Sequence, residues 1–164
     1  MYKRQAYHAD EKELCRLDEI YSAAKTPFEI RSGSEKVTRR FFKICNNGRE
    51  SFTGLYKSLT EQGICKGHQC IAYGLYMRDN GIELSEGLAV YGYSICSAIV
   101  TNCVKLVPLS QLAGQKILGE SFELISSASE KALFTDINDI GISGAGFDLR
   151  AMQHERLYSR QYMS

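Results

Sequence analysis

Apolar residues recur at spacings of three and four along most of this chain, and no stretch longer than a few residues alternates with period two. That pattern predicts a string of α-helices. Over residues 8–24, Leu14, Leu17, Ile20 and Tyr21 share one stripe, with acidic residues in the first turn where the helix dipole favours them. Thr26-Pro27-Phe28-Glu29 reads as an N-cap followed by proline at the first helical position, opening a second helix that runs to about Cys45 and ends at Asn46-Asn47-Gly48. Short helices are expected over 51–62 and 68–79, separated by a loop at 63–67. The longest helix begins after Glu83-Leu84-Ser85-Glu86 and continues to about Val107, where Pro108 halts it. From Gly87 to Val104 this helix is apolar or small on almost every side and carries no charge before Lys105, so it is expected to be surrounded by protein. Ser110 opens another helix to about Phe134, a glycine-bearing loop occupies 136–146, and a tail helix starts at Asp148. The expected fold is all-α: an irregular bundle of six or seven helices around a central apolar helix, in one domain spanning 1–164.

Charge and composition narrow the function classes. Twenty Lys and Arg against nineteen Asp and Glu leave a formal charge of +1, which offers no global field for nucleic acid phosphates. No uninterrupted apolar run approaches the roughly 20 residues that cross a bilayer, and the N-terminus turns acidic at Asp10 where a signal peptide needs its apolar region. The expectation is a cytoplasmic protein that binds neither nucleic acid nor membrane. Its six cysteines are then expected to be reduced, with Cys15, Cys45, Cys96 and Cys103 on apolar stripes as core thiols.

Chemistry-bearing motifs are sparse. Cys65-Lys66-Gly67-His68-Gln69-Cys70 gathers metal-ligand residue types, but C-x2-H-x-C lacks the fourth ligand of a closed zinc site; the plainer reading is a loop, a helix cap by His68 and one buried thiol. Asp136, Asp139 and Asp148 do not match the EF-hand spacing. No G-x-S-x-G, P-loop or G-x-G-x-x-G occurs, so no catalytic residue is nominated. What remains looks like interaction surface. The segment 147–164 is amphipathic and basic, and Met152, His154, Arg156, Tyr158 and Arg160 supply groups favoured at interface hot spots. Lys105 stands beside Pro108, Gln111, Gly114 and Gln115. Tyr93, with Tyr73, Tyr76 and Tyr91, could form an oligomer seam or lie in the core with satisfied hydroxyls.

Two segments resemble one family. Lys105 to Leu118 (Lys-Leu-Val-Pro-Leu-Ser-Gln-Leu-Ala-Gly-Gln-Lys-Ile-Leu) is similar to the V-x-L-x-P-L-x-Q-x-D-G-Q-x-x-L segment of the urease accessory protein UreF family, and Ala151 to Arg160 (Ala-Met-Gln-His-Glu-Arg-Leu-Tyr-Ser-Arg) is similar to its tail. Thr26 to Arg31, and Gly67-His68 with Tyr73-Gly74, resemble further family segments. The resemblance implies an all-α, non-catalytic, dimeric protein that bridges UreD (also called UreH) and the GTPase UreG during nickel insertion into apo-urease. In that picture no cofactor is stably bound and nickel is the cargo. It implies that His154, Tyr158, Arg160, Met152 and Arg156 dock into UreD/UreH. Lys105, Gln111, Gly114 and Gln115 would lie near the UreG-facing surface and dimer centre, with Tyr93 at the dimer seam. Ala113 stands where the family usually has an acid, and Gln161-Tyr162 where it more often has Leu-Phe or Leu-Tyr. The family's N-terminal helices have no counterpart before Thr26, so the chain reads as an N-terminally shortened member with an apolar patch left exposed. The alternative reading is a small helical metal- or ligand-binding protein using Cys65, His68 and Cys70.

Overall fold

The computed structural model describes residues 6, 10–45, 48, 50–139 and 144–158. Among these residues there are eight α-helices, one 3-10 turn and no strand: α1 Glu11–Ala24, α2 Phe28–Ile44, α3 Phe52–Glu61, α4 Gln69–Asp79, α5 Leu84–Leu106, α6 Gln111–Glu120, α7 Phe122–Phe134, the turn Ile137–Asp139 and α8 Ala145–His154. The count exceeds the expected six or seven because the helix predicted from Ser110 to Phe134 is two. Ser121 interrupts it: its N–H reaches the Ile117 and Leu118 carbonyls and its hydroxyl donates to the Leu118 oxygen at 2.7 Å, closing one helix as the next begins.

Local chemistry accounts for most helix starts. The side chains of Asp10, Ser51 and Ser110 accept from the backbone N–H three residues on, and the Glu83 carboxylate caps α5 through Ser85 and Glu86. α2 departs from expectation, since Pro27 rather than Thr26 occupies the N-cap and no side chain of that segment caps the helix. The acceptor comes from the other end of the chain, as described below.

The core lies around α4. Leu14 and Leu17 of α1, Phe42 of α2, Tyr56 and Leu59 of α3, and Ile71, Ala72 and Leu75 of α4 are buried together. Phe41, Tyr73 and Tyr76 meet edge to face, with centroids 4.4 and 5.4 Å from Phe41, and Tyr91 of α5 joins Tyr73 at 5.7 Å. A smaller cluster of Met77, Leu84 and Leu88, with Ala132 and Leu133, links α4 to α5 and α7.

The expectation that the 87–107 helix is surrounded is therefore corrected. The helix buried on all sides is α4, while α5 buries only Leu84, Gly87 and Leu88 in its first turns. α6 and α7 cover part of α5; Val90, Ile95 and Ile99 stay exposed, at 67%, 44% and 57%. Averaged hydropathy ranks the two helices the wrong way, α5 being the more apolar, because tertiary contacts and not composition decide which is enclosed. A second correction concerns length: α5, at 23 residues, is long and apolar enough by length and composition to cross a membrane. It contains no unbroken apolar run of that length, because Gly, Ser, Thr and Asn punctuate the helix without adding charge.

Candidate functional site

The tail candidates sit on the body of the protein. α8 packs along the start of α2, and residue 155 just beyond it supplies the missing cap: the Phe28 N–H donates to Glu155 Oε1 at 2.8 Å. One residue on, His154 Nδ1 lies 2.6 Å from Glu29 Oε2, with both side chains partly exposed. These two contacts hold the end of α8 against α2, and Thr26, Phe28, Leu149, Met152 and Arg156 line a groove of about 490 Å³ beside them. Met152 and His154 are half-buried, whereas Arg156 is exposed and Tyr158 is fully exposed. Arg160 lies outside the described residues. The tail is thus anchored at 154–155 and presents its outward aromatic and cationic groups immediately afterwards.

The second group is divided. Lys105 is exposed in the last turn of α5, where a cation complements the helix dipole. Gln111 and Gln115, four residues apart, share an exposed stripe of α6. Gly114 is no surface residue. It is buried against α5, and a Cβ there would come within 2.9 Å of Val104 Cγ2 and 3.1 Å of Val100 Cγ1. Its part is to let α6 lie close to α5, which fixes where the two glutamines face.

The four tyrosines also separate. Tyr73, Tyr76 and Tyr91 belong to the ring cluster, while Tyr93 is 41% exposed and stacks on Phe122 of α7, centroids 5.8 Å apart and planes 5° from parallel. Beside it runs a shallow groove of about 510 Å³ lined by Val90, Ser94, Ser97, Ala98, Thr101 and Asn102. Most of these side chains are small, and no helix of the described residues fills the groove. A more apolar cavity of about 390 Å³ opens between α5 and α7, lined among others by Ile95, Leu124 and Ile125.

Cys65, His68 and Cys70 are not gathered as ligands; among the described residues no group of three or more His, Cys, Asp or Glu side chains could hold a metal. Cys65 is buried with its sulfur 3.8 Å from that of Cys15, and Cys70 is buried near Ile71 in the core. Burial pushes the Cys70 thiol up to about 12 and raises Cys65 as well. So two thiols of the cluster are buried, not one, while Cys15, Cys45, Cys96 and Cys103, expected in the core, are half-buried.

Nor does the His68 side chain cap α4. Its ring is fully buried against Tyr21 at 4.4 Å, and Nε2 and Ser22 Oγ share a hydrogen bond of 2.7 Å. Nδ1 has no partner among the described residues, so the neutral tautomer carrying its proton on Nε2 leaves only a lone pair unsatisfied. Burial lowers the ring's pKa, against a smaller opposing pull from Asp18.

Sequence reasoning missed the residue that organises this region. Asp18 is buried; its carboxylate accepts the Tyr56 hydroxyl at 2.6 Å and the N–H groups of Lys66 and Gly67 at 2.7 and 3.1 Å, while Tyr56 Oη accepts the His68 N–H at 2.8 Å. Gly67 turns here at φ +86°, a conformation that side chains resist. The available signal was an acid inside the apolar stripe Leu14, Leu17, Asp18, Tyr21.

Comparison with known proteins places these features in a family. The UreF family model matches residues 2–121. The "Urease accessory protein UreF" of Actinobacillus pleuropneumoniae serotype 3 (strain JL03) is 34% identical over 152 residues, covering 92% of this chain and 67% of that protein. That of Paenarthrobacter aurescens (strain TC1) is 31% identical over 152 residues, covering 90% and 67%. That of Streptococcus thermophilus (strain ATCC BAA-491 / LMD-9) is 28% identical over 148 residues, covering 90% and 62%. The chain thus spans about two thirds of the length of these curated relatives.

Proposed function

The chain belongs to the UreF family of urease accessory proteins, and from that premise we propose that it is a non-catalytic scaffold of urease maturation. In this reading it works in the cytoplasm as a homodimer, joining UreD/UreH to the GTPase UreG so that nickel, the cargo of the complex, passes into apo-urease. The observation that carries the reading is the outer face of α5. A helix this apolar, with Val90 at a groove of small side chains and Ile95 and Ile99 exposed on other sides, is suited to close packing against another polypeptide. A second protein burying it would gain about 25 cal/mol per Å² of apolar surface removed from water.

The surfaces divide by chemistry. The tail offers Met152, Arg156 and Tyr158 beside an apolar groove, a combination that fits a partner pocket for UreD/UreH. His154 orients that end through Glu29. Lys105, Gln111 and Gln115 form a polar set for the UreG side, with Gly114 setting the approach of α6 to α5. Tyr93, stacked on Phe122 at the rim of the groove and partly exposed, is the residue this reading assigns to the dimer seam.

Co-expression tests the division directly. Arg156→Ala with Tyr158→Ala should lose co-purification of UreD/UreH while the variant stays folded. Lys105→Ala with Gln115→Ala should keep UreD/UreH and lose UreG. Retention of both partners by both variants would remove the assignment.

A further inference from the structure

One pair of thiols takes no part in the proposed scaffold. Cys65 donates an S–H contact to Cys15 Sγ at 3.8 Å, joining residues fifty positions apart, and it is the sole such sulfur contact among the described residues. Cys15 lies on α1 and is half-buried; Cys65 lies in the α3–α4 connection and is 2% exposed. The two segments are already clasped next to the sulfurs, since Asp18, one turn after Cys15, accepts the N–H groups of Lys66 and Gly67, directly after Cys65. A rigid clasp of this kind keeps both thiols in register, and the sulfurs need to close only from van der Waals contact to the roughly 2 Å of a bond.

We infer that Cys15 and Cys65 form an oxidisable pair, a modification site at which hydrogen peroxide converts two thiols into one intramolecular disulfide. Exposure sets the order of events. The peroxide meets Cys15 first; the Cys15 thiolate attacks the peroxide oxygen, the O–O bond breaks, and a sulfenic acid forms as hydroxide leaves and takes up a proton as water. Cys65 then attacks the Cys15 sulfur, the S–O bond breaks, and the departing hydroxide takes the Cys65 proton to leave as a second water. Two electrons pass from the sulfurs to the peroxide. Burial and the nearby Asp18 carboxylate raise the Cys65 thiol, which argues against Cys65 making the first attack. The product ties α1 covalently to the connection that Asp18 already holds, and leaves the α5 face and the tail untouched. It depends on neither the proposed partners nor nickel.

The test is peptide mapping of the full chain after brief treatment with hydrogen peroxide, trapping free thiols by alkylation under non-reducing conditions. The expected product is a cross-linked pair of peptides carrying Cys15 and Cys65, with loss of both from the alkylated pool. An upward shift of the melting temperature, reversed by dithiothreitol, should accompany it. Cys15→Ala should abolish both the cross-link and the shift, whereas Cys96→Ala should keep them. Oxidation that stops at Cys15 without a cross-link, or a disulfide at any other pair, would overturn the inference. Because the mapping is done on the unmodified chain, a variant that fails to fold leaves the test intact.

Discussion

At the scale of single residues, Asp18 decides more than its position suggests. A buried carboxylate is tolerated only when its lone pairs are filled, and here one hydroxyl and two backbone amides fill them. Tyr56→Phe removes a donor to Asp18 and the acceptor of the His68 N–H together. It should lower unfolding stability by about 1–3 kcal/mol, read by urea titration. His68 makes a separate prediction in pH. Its pKa is lowered in the fold by burial, so the unfolded chain, titrating near 6.5, binds the proton first. Stability from this group is complete above the unfolded value and declines as pH falls from there toward the folded value. Urea midpoints measured from pH 7.5 to 5.5 should fall for the native chain, and the His68→Gln variant should lack that component of the slope. A slope unchanged by the substitution would show that His68 is not its source.

At the scale of elements, helix chemistry was readable wherever it was local. Ser51, Ser110 and Pro108 mark boundaries through bonds or constraints within a few residues, and the helix ends they mark lie where the sequence puts them. Features resting on distant partners were not readable. Pro27 stands at an N-cap because Glu155, more than a hundred residues away, takes the Phe28 N–H, and no local pattern encodes that. The Ser121 break was hidden for the opposite reason: the apolar stripe of α6 carries into α7, so periodicity alone reads one helix. Of the candidate site, residue types such as Tyr158 and Lys105 were legible as surface, while Gly114 emerges as a packing residue only once α5 is beside it. Two tests follow. Gly114→Val places methyl groups against Val100 and Val104 and should cost roughly 1–3 kcal/mol, with the α5–α6 approach widened. Glu155→Ala leaves the Phe28 amide without its carboxylate acceptor. Faster hydrogen exchange at that amide, and faster proteolysis after His154, are the expected readouts; exchange unchanged from the native chain would show that the tail does not cap α2.

At the scale of the molecule, the asymmetry of burial is the main fact. One half, around α4, is packed with aromatic edges and the hydrogen bonds of Asp18 and Tyr56, while α5 and α7 leave Val90, Ile99, Phe122 and Leu124 facing outward. Surface of that kind ordinarily marks an interaction site or an aggregation hazard. An anilinonaphthalene dye should therefore fluoresce with the isolated chain and be displaced once partners bind. The most direct measurement is light scattering on size-exclusion fractions of the chain mixed with UreD/UreH and UreG. The scaffold account predicts one species containing all three, with UreG retained on UreD/UreH only when the chain is present. Equal retention of UreG without the chain, or elution of the chain apart from both, would contradict it.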